Sequence, residues 1–301
     1  MRKAIVLAAG KGTRMKSAKH KVLHEIGGLP MIQWILNELK ALNVSDTTVV
    51  LSPNTDDVQQ AVAGQVKTAI QAEALGTGHA VLCAEEGIGE FDGSCLILYG
   101  DTPLVKHETQ RKMFEAVEAG ADVVLLAFEP QDAARYGRLV LDGEGNLIKV
   151  VEYKDTTEEQ KAIRLCNAGP MCFNAKHLYS LVKEIKNDNV GGEYYLTETI
   201  DIALRKGLRI SLIMATEDEV AGVNSRQEQA FVEGIFQRHK REEIMEKGVT
   251  LIDPETVYFS YDTEIENDVV VPPCVVFGPN VQVKKGAKLE SFHKYENGVF
   301  D

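Results

Sequence analysis

The sequence predicts an α/β protein with a mostly parallel sheet, followed by a connector helix and the start of a coil of short strands. Three observations predict it. Short apolar runs alternate with segments of helical periodicity from Lys3 to Met214, the pattern of strands and crossover helices. A long polar stretch from Ser225 to Lys247 reads as one helix and stops at Gly248. Beyond Asp253, apolar residues recur every six positions. The expected organisation is a Rossmann-like domain over residues 1–224, a helical linker over 225–248 and a hexapeptide-repeat β-helix over 249–301.

In order along the chain, Lys3–Ala8 is an apolar run bounded by Gly10 and reads as a central strand. Pro30 opens a helix whose apolar positions Ile32, Ile35, Leu36, Leu39 and Leu42 follow the helical period. Strands are expected at Thr47–Leu51, Val66–Ile70, Ser94–Tyr99 and Asp122–Phe128, with helices at Gly76–Glu86 and Lys106–Ala119. Asp142-Gly-Glu-Gly-Asn146 is a hairpin-like turn between Leu139–Leu141 and Leu147–Val151. Arg164–Phe173 is a further strand, Lys176–Lys186 and Tyr195–Lys206 are helices, and Arg209–Met214 is a strand. In the last part Ile265, Val271, Phe277, Val283 and Leu289 form one column, and Val269, Val275, Val281 and Ala287 a second. That period fits a triangular coil with one hexad per side. The tail Glu290–Asp301 breaks the pattern, so fewer than two full coils are expected: a stub, natural or cut.

Composition narrows the function. No run of eighteen apolar residues is present, and Ala4–Gly10 is too short for a secretion signal, so no membrane span is expected. The five cysteines are scattered without a C-x-x-C pair, which predicts reduced thiols in a cytoplasmic protein, with no disulfide or zinc framework. His20 and His24 stand four apart and read as an ordinary structural pair. The net charge of −12 argues against nucleic-acid or anionic-membrane partners. Yet residues 1–25 hold seven basic side chains and one acid, Glu25, a net of +6, which leaves −18 on the rest. A basic patch behind a buried strand in an acidic chain suggests a focused site for a small anion.

Leu7-Ala-Ala-Gly-Lys-Gly-Thr-Arg-Met15 follows the first strand directly. Glycines and small residues let backbone N–H groups approach phosphates, and Lys11, Arg14 and Lys21 can add charge-assisted contacts. The order of residues is not that of a Walker loop. A dinucleotide fingerprint would need a third glycine where Met15 stands and an acid where the second strand ends in Ser52, so a dehydrogenase is disfavoured. Taken alone, the loop indicates a phosphate ligand or a tight structural turn.

The loop, together with Lys21-Val-Leu23, resembles the signature of sugar-phosphate nucleotidyltransferases. More narrowly, the chain resembles the N-terminal part of the bifunctional N-acetylglucosamine-1-phosphate uridylyltransferase/glucosamine-1-phosphate acetyltransferase family. Gln71-Ala-Glu-Ala-Leu-Gly-Thr-Gly-His79, Leu98-Tyr-Gly-Asp-Thr-Pro-Leu104, Tyr136-Gly-Arg138, Ile148-Lys-Val-Val-Glu-Tyr-Lys154, Gly192-Glu-Tyr-Tyr-Leu-Thr197 and Val223-Asn-Ser-Arg226 carry the resemblance in family order. It implies a left-handed β-helix after the first domain, with trimers as the usual assembly, weakened here by the short coil. It further implies Mg²⁺-dependent transfer of uridylate from UTP to a sugar-1-phosphate, within peptidoglycan and lipopolysaccharide synthesis.

The resemblance also assigns residues. Arg14 and Lys21 neutralise phosphate charge. Leu7, Ala8, Ala9, Gly10, Gly12, Gln71, Gly76 and Thr77 hold the nucleotide. Tyr99, Gly100, Gly137, Glu152, Asn167 and Tyr195 hold the sugar, and Asp101 and Asn224 hold Mg²⁺. Without it the same residues read otherwise. Asp101 is equally a turn residue or cap before Pro103, and Asn224 a helix cap. Gln71 is an exposed polar residue, Gly76 and Thr77 begin a helix, Glu152 is a solvated strand end, and Tyr195 packs on a helix. As a ligand group, Gln71 offers one amide donor and one acceptor to the edge of uracil. Two departures stand out: Ala18-Lys-His20 lacks the proline common before the lysine, and Ala168 replaces a usual threonine beside Asn167. The coils that would build an acetyltransferase site are missing, so no acetyl transfer is expected. Another hexose-1-phosphate, a thymine nucleotide, or a non-catalytic scaffold that only binds nucleotide sugars are the alternatives.

Overall fold

The computed structural model describes residues 1–133, 136–189 and 191–301. The chain forms two compact units, one of Met1–Val22 with Ile32–Gly222 and the other of Leu23–Met31 with Val223–Asp301.

The first unit is built on a nine-stranded sheet. Its strands are β1 Arg2–Leu7, β2 Asp46–Leu51, β3 Lys67–Ile70, β4 Ser94–Tyr99, β5 Val123–Phe128, β6 Arg138–Leu141, β7 Leu147–Val151, β8 Cys166–Asn174 and β9 Ile210–Met214. The order is β9-β5-β8-β4-β1-β2-β3, with the β6–β7 hairpin attached through β8. Strand β1 pairs in parallel with β2 and β4, β2 with β3, and β9 with β5, while β8 runs antiparallel between β4 and β5. Every residue of β5 is buried, which explains its unbroken apolar run Val-Val-Leu-Leu-Ala-Phe. The ends of β1, β3 and β4 release the chain at Ala8, Gln71 and Gly100 along the carboxyl edge of the sheet, where open α/β sheets bind ligands.

Several boundaries differ from expectation. Pro30 does not open the first helix. It closes a two-residue strand, Leu29–Pro30, paired with Glu25–Ile26, and the helix runs Met31–Ala41. Gly27 and Gly28, at φ 56° and 78°, make the tight reversal between those strands. A helix at Asp56–Val62, carrying two aspartates in its first turn, was not foreseen. The segment expected as Gly76–Glu86 is two helices, Thr77–Cys83 and Glu85–Ile88. The helix expected from Tyr195 begins at Glu198, after an extended stretch whose backbone bonds elsewhere.

In the second unit the helix Arg226–Glu246 starts as its sequence suggests. Ser225 accepts the Glu228 N–H, and Glu228 returns its carboxylate to the Asn224 N–H at 2.7 Å. The coil that follows is longer than expected. Tyr258, Val276–Phe277 and Lys294–Tyr295 stack as three parallel rungs on one side. Glu264–Ile265, Val281–Val283 and Gly298–Phe300 stack as three on another, and Thr250–Leu251 pairs with Val270–Val271 on the third. The tail therefore continues the coil. Tyr295 occupies the next hexad position, and Phe300 pairs with Val283 one residue early, because that turn is a residue short. Phe259, Phe277 and Tyr295 stack down the interior with ring centroids 5.3 and 5.8 Å apart. The corners are marked by left-handed residues at Asp268, Cys274, Asn280, Gly286 and Phe292, one every sixth position.

Candidate active site

The first unit holds a cavity of about 290 Å³ at the carboxyl edge of its sheet. Leu7, Ala8, Ala9 and Gly10 from the turn after β1, Gln71 after β3, Gly76 and Thr77 at the next helix start, and Tyr99 and Asp101 at the end of β4 all line it. Lys21 and Tyr195, also foreseen from sequence, line it too, as do Lys11 and Glu193, whereas Gly12, Gly137, Glu152 and Asn167 do not.

The turn is shaped by its glycines. Gly12 sits at φ 58°, where a side chain is strained, and a Cβ there would lie 2.7 Å from Cβ of Lys21. The missing side chain thus lets the turn close over Lys21, whose ammonium reaches Asp101 Oδ2 at 2.7 Å. That pair is mostly shielded, with 10% of the lysine and 21% of the aspartate side chain exposed. Gly100 does not line the cavity. It packs between strand ends, its N–H on the Leu7 carbonyl, with Cγ1 of Val22 2.9 Å from where a Cβ would stand. Arg14 is exposed on the short turn Thr13–Met15, whose buried residue is Met15, and it does not line the cavity.

On the opposite wall the chain 193–196 lies against the loop 75–78. The Tyr194 N–H donates to the Leu75 carbonyl, the Tyr194 carbonyl accepts the Gly78 N–H, and the Leu196 N–H donates to the Thr77 hydroxyl. Gly76, at φ 105°, is required by this approach: a Cβ would sit 2.7 Å from the Tyr194 oxygen. This pairing directs Glu193 and Tyr195 to the cavity, and Gly191 leaves room for the Tyr195 hydroxyl, 2.4 Å from its missing Cβ. Gln71 is buried, not an exposed polar residue. Its amide nitrogen donates to the Gly76 carbonyl at 3.0 Å and lies 3.1 Å from Nδ1 of His79.

The residues assigned to the sugar group around Glu152. Its carboxylate takes the Thr197 hydroxyl at 2.8 Å, and Gly137 lies against it, 3.5 Å from a would-be Cβ to Oε2. The Asn167 N–H donates to the Gly137 carbonyl, and its side-chain oxygen accepts the Gly169 N–H across the bulge in β8. Gly169 in turn approaches the Tyr99 ring within 3.2 Å of a missing Cβ. Burial pushes the Tyr99 hydroxyl up, and the Asp101 and Glu152 carboxylates push it further, so it stays a neutral donor. Burial, then Glu193 and Glu152, raise Tyr195 the same way. These shared neighbours tie the sugar residues to the cavity. Asn224 belongs to the second compact unit.

Thr197 and Glu193 were not assigned from sequence, although both lie in Gly192-Glu-Tyr-Tyr-Leu-Thr197. The signal was their membership of that motif. Among the described residues no three His, Cys, Asp or Glu side chains converge as a metal cage, and no helix is long and apolar enough to cross a membrane.

Residues 4–199, which hold the glycine turn and the Lys21–Asp101 pair at the edge of the sheet, match the MobA-like NTP transferase domain family. The chain belongs to that family and is an enzyme of nucleotidyl transfer. Over nearly its whole length it is similar to proteins called bifunctional protein GlmU. It is 46% identical over 296 residues to that of Brucella anthropi, with 97% of this chain and 65% of the relative covered. It is 43% identical over 298 residues to that of Zymomonas mobilis (97% and 66%) and 47% over 268 residues to that of Rhodospirillum rubrum (88% and 60%). The chain thus spans 60–66% of the length of these relatives.

Proposed function

We propose that the chain transfers the uridylyl group of UTP to N-acetylglucosamine-1-phosphate, forming UDP-N-acetylglucosamine and pyrophosphate. The observation that carries this reading is the single cavity in which the glycine turn, the Lys21–Asp101 pair, Gln71 and Tyr99 meet. In the reaction a phosphate oxygen of the sugar phosphate attacks the α-phosphorus in line. The bond from that phosphorus to the oxygen bridging to the β-phosphate breaks, and pyrophosphate leaves with the electron pair. No covalent enzyme intermediate is needed, so catalysis reduces to positioning and charge neutralisation.

The backbone of Leu7 to Gly10, with Gly12, would receive the triphosphate, and Lys21 and Arg14 would oppose its charge. Gln71, Gly76 and Thr77 would hold the uridine. Gly100, Gly137, Glu152, Asn167, Tyr99 and Tyr195 would hold the amino sugar. Mg²⁺ fits the donors present: Asp101 offers a hard carboxylate oxygen at the cavity, and Mg²⁺ asks few oxygens of a protein beside phosphate and water. Asp101, with Asn224 as the resemblance implies, would hold the ion, which supplies charge neutralisation on the phosphates.

Pyrophosphate release from UTP, measured against a panel of plain and N-acetylated hexose-1-phosphates, tests this. Turnover is expected with N-acetylglucosamine-1-phosphate and is expected to stop on chelation of Mg²⁺. Ala168 beside Asn167 favours some tolerance of other sugars. UTP binding without pyrophosphate release from any sugar would overturn the reading in favour of a nucleotide-sugar-binding scaffold.

A further inference from the structure

Resting on that reading, we propose that His79 is a positioning residue that makes the site choose uracil over cytosine, by fixing which end of the Gln71 amide a nucleotide meets. Gln71 is held from two sides. Its backbone N–H donates to the Leu51 carbonyl at 2.8 Å. Its side chain is buried and ends at the cavity, with Nε2 3.0 Å from the Gly76 carbonyl and 3.1 Å from Nδ1 of His79.

These two contacts fix the amide. A backbone carbonyl only accepts, so the atom that faces Gly76 is the amide nitrogen. Its second N–H then points at Nδ1 of His79, which must carry a lone pair, with the ring proton on Nε2. Both donors are consumed inside the protein. What Gln71 shows a base is its carbonyl oxygen alone, not the donor-and-acceptor pair that its sequence suggests.

That leaves an acceptor where a pyrimidine edge arrives. Uracil carries a hydrogen on N3 and can donate to it. Cytosine carries a lone pair on N3, so two acceptors would face each other and the buried oxygen of Gln71 would lose its partner. Without the lone pair of His79 only the Gly76 carbonyl still opposes a turn of the amide, so presenting an N–H to cytosine costs one hydrogen bond fewer. His79 is well placed for this. It is the third residue of the helix Thr77–Cys83, whose start is held by the Tyr194 carbonyl on the Gly78 N–H, and its ring lies 6.5 Å from the Tyr194 ring.

The test compares UTP with CTP in wild type, His79→Phe and His79→Asn, by kcat and KM for pyrophosphate release and by equilibrium binding. Asn can place its amide oxygen near the position of Nδ1 and so restore the acceptor. His79→Phe should lose about tenfold in the UTP:CTP ratio, the worth of roughly one hydrogen bond. The loss should appear in KM with kcat little changed, and His79→Asn should recover most of it. An unchanged ratio in His79→Phe overturns the proposal, even if total activity falls. So does a folded His79→Asn no better than His79→Phe, or a wild type that binds both nucleotides equally. A wild type that prefers UTP in binding yet releases no pyrophosphate fails the proposed function and leaves the role of His79 standing.

Discussion

Left-handed backbone serves different ends at the cavity of the α/β unit and in the coil. In the α/β unit, Gly12 and Gly76 occupy it because another part of the chain stands 2.7 Å from where their Cβ would be. In the coil, Asp268, Cys274, Asn280 and Phe292 occupy it with side chains in place, and a Cβ on Gly286 would meet nothing within 4 Å. Corners that point outward need only the backbone angle, whereas the turns of the cavity need the angle and the vacant space together. A glycine at the cavity therefore bears on function, and a corner residue of the coil bears on stability.

The comparison can be broken or sharpened by mutation. Asp101→Ala should lower pyrophosphate release about a thousandfold, since it removes the partner of Lys21 and, in the proposed site, a metal oxygen. Its unfolding transition should stay near wild type, and turnover like wild type would remove Asp101 from the site. In the coil, Phe277→Ala deletes the middle ring of a buried stack and should cost about 3 kcal/mol or more, read by denaturant unfolding. Gly12→Ala and Gly286→Ala form the most direct contrast. The first should lose roughly a hundredfold in turnover by displacing Lys21, while the second should cost only about 1 kcal/mol of stability. Equal effects on turnover would erase the distinction. The smallest effect is expected at Phe292, which is 84% exposed at φ 60°. Phe292→Gly should raise stability by about 0.5 kcal/mol, because relief of left-handed strain outweighs the added chain entropy. A lower melting temperature would show that the exposed ring is held by something.

Much of this was legible in the sequence, unevenly so. Apolar runs such as Val123–Phe128 announced buried parallel strands, and the hexad columns announced the coil. The end of the coil is hidden in the sequence because the turn before Phe300 is a residue short, which breaks the count of six. Tyr195 was placed on a helix because Tyr-Tyr-Leu-Thr runs straight into helical periodicity. Its extended backbone comes instead from pairing with the loop around Gly76, more than a hundred residues earlier.

The sequence by itself determined the secondary-structure alternation, the six-residue repeat and the family motifs, because burial period and turn chemistry are written in neighbouring residues. Tertiary structure alone decided that Gly12 closes over Lys21, that Glu193 and Tyr195 reach the cavity, and that the Gln71 amide meets Gly76 and His79. Those facts are distances between groups remote along the chain. They are set by how strands line up across a sheet, which no local pattern records.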